Sequence, residues 1–146
     1  MATVFDVAKY IAEKCGKIDT WKLQKLVYYS QAWSLVWDEA PLFDSKIQAW
    51  ANGPVCPDLF ASHRGMYAVD ASSPIWDGAD IETLTENERD TIDAVIRDYG
   101  NMPGYELREL THLEDPWIKA RGDALPMEPC SDEITPSSMR LYYGAL

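Results

Sequence analysis

A chain of 146 residues with a formal net charge of −11 and 47% hydrophobic residues has the size and balance of one ordinary folding unit, residues 1–146. The acidic surplus argues against nucleic-acid binding as the main task, because that task needs a cationic surface to neutralise phosphates. No run approaches the ~20 apolar residues of a membrane span, no secretory leader is visible, and the three cysteines form no CxxC pair, so the expected setting is a reducing cytoplasm.

From the start of the chain, Thr3 is placed to cap a helix in which Val4, Val7, Ala8, Ile11 and Cys15 follow helical spacing, with Gly16 as its stop. Asp19 or Thr20 opens a second helix of unusual character. Residues Leu23, Leu26, Val27, Tyr28, Tyr29, Trp33, Leu35, Val36 and Trp37 point in nearly every direction, and the only consistent polar line is Gln24, Gln31 and Asp38. A surface helix carries one apolar stripe, so this one is expected to run through the centre of a bundle, ending at Pro41.

The segment KIQAW reads as a short strand, and Asn52, Gly53 and Pro54 as a turn. A shorter helix begins near Pro57. Residues 69–81, rich in Ser, Pro, Gly and Asp, read as the longest loop. Thr85 and Glu88 form a capping box ahead of a helix stopped by Gly100. YELREL and PWIKAR read as two helices meeting near His112, with Pro116 at the first position of the latter, and a last helix starts at Thr135. The expected class is mainly α: a compact, single-domain helical bundle around a central buried helix, with room for a short two-stranded β element.

Local signatures of catalysis such as GxSxG, HExxH or a P-loop are missing. The best enzymatic alternative uses His112 with Glu114 or Asp115. The bland reading of Glu106, Glu109, Glu114 and Asp115 is a solvated helix face. Cys15, Cys56 and Cys130 with the two histidines lack the close ligand pairs that organise a metal, so neither metal nor cofactor is expected. Trp33, Trp37, Trp50 and Trp117 suit a core better than a ligand pocket. Charge is uneven. Residues 1–25 hold five lysines against Asp6, Glu13 and Asp19, so a DNA-binding regulator working through this start is a further alternative.

KLQKLVYYSQAW, PLFDSKIQAWANGPVCPDLF, IDAVIRDYG and ELRELTHLEDPWIKAR, in that order, closely resemble the Panacea domain, or SocA-like antitoxin domain, from about residue 4 to 143. The resemblance implies a non-catalytic antitoxin that binds and blocks a protein toxin encoded by a neighbouring gene, in bacteria or phages. A variant of the same class is a proteolytic adaptor that hands its toxin to a AAA+ protease. Carried over by position, Leu23, Gln24, Lys25, Leu26, Tyr28, Tyr29, Gln31 and Trp33, then Trp50, Gly53, Pro54 and Val55, then Thr111, His112, Glu114, Pro116, Trp117 and Arg121 match the family signature. Because partners vary while these recur, the resemblance implies scaffold roles for them. Trp50, Trp76, His112 and Trp117 remain as candidates for partner binding, Trp76 as the aromatic of the middle loop.

Overall fold

The computed structural model describes residues 1–146. Helix α1 (Val4–Cys15) opens with a capping box in which Thr3 and Asp6 satisfy each other's backbone amides. After the two-residue strand β1 (Ile18–Asp19), the Asp19 carboxylate caps α2 (Thr20–Trp37) by accepting from the Lys22 amide. Strands β2 (Ile47–Trp50) and β3 (Gly53–Val55) form a hairpin, followed by α3 (Pro57–His63) and β4 (Ala68–Val69). Two single-turn 3-10 helices (Pro74–Trp76 and Ile81–Thr83) precede α4 (Glu86–Tyr99), whose Thr85–Glu88 box is the mirror of the one on α1. Helices α5 (Gly104–His112) and α6 (Asp115–Arg121), strand β5 (Glu133–Ile134) and α7 (Pro136–Tyr143) complete the chain.

Seven helices make the protein mainly α, but its β part is larger than a two-stranded element. β5 joins the hairpin antiparallel to β2, pairing Ile47 with Ile134, so the sheet order is β3-β2-β5. A second, two-stranded sheet pairs β1 with β4. Neither partner is readable locally, because a two-residue strand carries no alternation of its own.

Thirteen residues of α2 are buried, and the helix packs against α1, α4, α5, α7 and β3. Its polar line is not wet. Gln24 donates to the Cys56 carbonyl and accepts from the Cys56 amide, while Gln31 bonds the Phe43 carbonyl and the Leu42 amide. Each glutamine serves as a surrogate backbone for an irregular segment that would otherwise bury unpaired amides. The helix stops at Trp37, ahead of Pro41, because Glu39 turns into the left-handed region at φ 54° and Ser34 Oγ takes up the Ala40 carbonyl. Leu23, Leu26, Tyr28 and Tyr29 belong to one continuous core of 31 buried apolar residues.

Two local expectations need correction. The segment 69–81 is not an open loop: Trp76 is 5% exposed, and its indole Nε1 donates to the Asp70 carbonyl at 2.7 Å while the turn packs on α1. Glu114 is not on a solvated face. It lies inside, where its Oε1 accepts from Tyr29 at 2.6 Å and from Tyr143 at 2.8 Å. Pro116 sits in the first turn of α6, one position after Asp115.

Candidate partner-binding face

The face is organised by the tip of the β2–β3 hairpin. Gly53 has φ 113°, a backbone state that side chains with a Cβ rarely adopt. It also permits close approach: a Cβ there would lie 2.5 Å from Lys25 Cε and 3.2 Å from both Lys25 Nζ and Thr111 Oγ1. The three residues come from the hairpin, α2 and α5, so three separated motifs of the sequence meet at one point.

Lys25 is the anomaly of this meeting point. It is 0% exposed, yet its Nζ has no hydrogen-bond partner and lies 5.2 Å from the centre of the Trp21 ring. Burial, with Arg108 adding to it and Asp19 opposing, lowers its pKa to about 7. His112 Nε2 is buried and unpartnered as well. Burial, then the cations Arg108, Lys25 and Arg121, pushes that imidazole down to about 4, so it is neutral at pH 7.

Three of the four expected contact residues come together here. His112 stacks on Trp117 with ring centres 3.8 Å apart and planes 8° from parallel. Trp117 Nε1 donates to the Trp50 carbonyl at 2.8 Å, and the Trp50 ring meets Phe60 edge-on at 4.9 Å. The Arg121 guanidinium covers Trp117 at 5.0 Å and donates to the carbonyls of Ala49, Leu125 and Glu128. Trp117 itself is only 7% exposed. Trp76 shares none of these contacts.

Two adjoining clefts open on this face, with Trp21 and Asn52 in the walls of both. One, of about 430 Å³, runs between Trp50 and the segment Pro129–Ser131. The other, of about 410 Å³, is bounded by Asp19, Tyr67, Tyr105 and Arg108, with Lys25 in its lining. Tyr67 is 82% and Tyr105 65% exposed. Sequence reasoning missed Trp21, Asn52, Tyr67, Tyr105 and Arg108 as members of this face. Lys25 was legible in principle, being the one charge in the otherwise apolar and amide-bearing run from Leu23 to Trp37.

The alternatives fare differently. No hydrogen bond joins His112 to Glu114, whose carboxylate is held by two tyrosines. Among the lysines of the first 25 residues, Lys25 is buried and Lys22 Nζ donates to the Gly100 carbonyl at 2.6 Å, which leaves three for any phosphate backbone. No helix is long and apolar enough to cross a membrane.

No curated protein and no solved structure matches this chain. The family model described as antitoxin SocA-like, Panacea domain, matches residues 23–118. That span runs from the first buried leucine of α2, through the hairpin and its glycine, to the tryptophan stacked on His112, and on this ground the chain belongs to the SocA-like, Panacea-domain family of antitoxins.

Proposed function

We propose that residues 1–146 act as one unit, an antitoxin that neutralises a protein toxin by direct contact and without catalysis. The observation that carries this reading is the match to an antitoxin family together with the aromatic face built around the hairpin tip. Exposed Trp21, Tyr67 and Tyr105 are the residue types that anchor interfaces once desolvated. Helix α2, packed by four other helices, acts as the internal pillar that holds this face rigid. The net charge of −11 favours a basic toxin surface by electrostatic steering.

The toxin would be the product of a neighbouring gene and the encounter cytoplasmic. Delivery of the toxin to a AAA+ protease is a variant of the same reading, with the same first contact. The test is co-expression with the neighbouring gene's product, scored by growth and by co-purification. Wild-type chain restores growth and retains the toxin. The double variant Tyr67→Ala, Tyr105→Ala folds normally and loses both, whereas undiminished rescue by it removes the proposed face, and no rescue by the wild type removes the antitoxin reading.

A further inference from the structure

Among the buried side-chain polar atoms of this protein, four lack a hydrogen-bond partner, and two of those, Lys25 Nζ and His112 Nε2, belong to the same corner of the molecule. A native interior pairs such groups, since an unmade hydrogen bond leaves the full desolvation cost standing, larger for an amine able to carry charge. An unpartnered lysine that is 0% exposed yet lines a cleft is a binding group waiting for its counter-group.

The chemistry of that counter-group follows from the surroundings. Arg108 stands in the same cleft wall, so the floor and one side are cationic within a strongly acidic protein. The single carboxylate of the cleft, Asp19, is committed to capping α2 through the Lys22 amide. Trp21, Tyr67 and Tyr105 supply aromatic surface at the mouth. A volume of about 410 Å³ falls within the range of small-molecule sites. We infer that this cleft binds a small molecule carrying an oxyanion, carboxylate or phosphate, next to a planar ring, with the oxyanion on Lys25 and Arg108 and the ring against the aromatic wall.

The assignment goes beyond the toxin-binding reading and does not depend on it. Ligand binding also has a proton signature. Near neutrality Lys25 is divided between its charged and uncharged forms, so an arriving anion draws a proton onto it. The charged and titratable groups acting on or facing it are Asp19 from the start of α2, His63 from α3, and Arg108 and His112 from α5.

Phenyl phosphate and benzoate, with neutral benzamide as control, are the probes, titrated into the isolated chain by calorimetry in two buffers of different ionisation heat and by amide NMR. The expected result is saturable binding of at least one anion, shifts centred on Asn52, Gly53 and the first turn of α5, proton uptake near pH 7, and no comparable binding of benzamide. The preferred anion then tells carboxylate from phosphate ligands. Lys25→Met weakens binding about tenfold or more and abolishes the proton uptake; Arg108→Ala, at a half-exposed position, weakens it independently should the buried variant fold poorly. Absence of saturation by both anions, shifts centred elsewhere, or unchanged affinity in both variants would overturn the assignment.

Discussion

The Tyr29 hydroxyl of α2 donates to the Glu114 carboxylate at 2.6 Å, joining two residues 85 positions apart in the interior of the protein. Tyr143 donates to the same oxygen, Tyr28 meets Tyr143 at 3.0 Å, and Tyr99 stacks on Tyr29 at 4.1 Å while accepting from Trp33 Nε1. One acid thus ties α2 to the α5–α6 junction and to α7. Burial raises its pKa, with the two tyrosine hydrogen bonds pulling the other way.

A pH dependence follows. A carboxyl group whose folded value lies above its ordinary 4.5 contributes stability that is complete below 4.5 and is lost as pH rises through the folded value. Glu114→Gln keeps an acceptor for both hydroxyls and removes the charge. Urea unfolding of wild type and variant across the range from pH 4 to neutrality should give a difference that shifts in favour of the variant as pH rises. Tyr29→Phe removes one of the two hydroxyls on this buried oxygen, leaving Tyr143 in place, and should cost about 1–3 kcal/mol.

Lys25 has the opposite sign. Its folded value of about 7 lies below the ordinary 10.5, so its contribution is complete above 10.5 and is lost as pH falls to about 7. In the ligand-free protein Lys25→Met should gain on wild type by about 1.4 kcal/mol for each pH unit descended within that window, and by nothing further below it. A flat difference would mean that the amine is paired or hydrated.

Gly53→Ala places a Cβ against Lys25 and Thr111 at φ 113°, adding backbone strain to a steric clash. The expected loss is about 2–4 kcal/mol, seen as a lowered melting temperature. Gly122→Ala, also at positive φ but with open space where the Cβ would go, should lose less, which separates strain from crowding.

Trp76→Ala removes a buried ring that seals the 3-10 turn on α1, and should destabilise by about 3–5 kcal/mol in chemical denaturation. Leu26→Ala, wholly buried in α2, should cost about 2–5 kcal/mol. Of the two, Trp76 is the one whose sequence context, a run of Ser, Pro, Gly and Asp, hides its burial.

What the sequence disclosed was local. The Thr3 cap, the Thr85–Glu88 box, the Gly16 stop, the Pro57 start and the Asn52–Gly53 turn rest on contacts within four residues, and all are found, with Asp6 completing a second box on Thr3. What it concealed depends on partners far along the chain: β5 has meaning only beside β2, Glu114 only beside Tyr29 and Tyr143, and Trp76 only on α1. The candidate face divides in the same way. Trp50, His112 and Trp117 stood out as aromatic and titratable residues in motifs, but Tyr67, Tyr105 and Arg108 gain significance only once three elements converge on Gly53.

Arg121 fixes the shape of the Trp50 cleft without lining it. Its guanidinium holds the Ala49 carbonyl on β2, the strand whose Gln48 and Trp50 line one wall, and the Leu125 and Glu128 carbonyls that lead into the other, while the Ala49 amide donates to the Asp132 carbonyl. The two jaws are therefore set when the protein folds, and under the proposed function the toxin meets an aperture that is already formed. Encounter then requires little further immobilisation of the receptor, and a change as small as Arg121→Lys, which replaces a flat fork by a single ammonium, would slacken the jaws and slow capture without altering any surface that the guest touches.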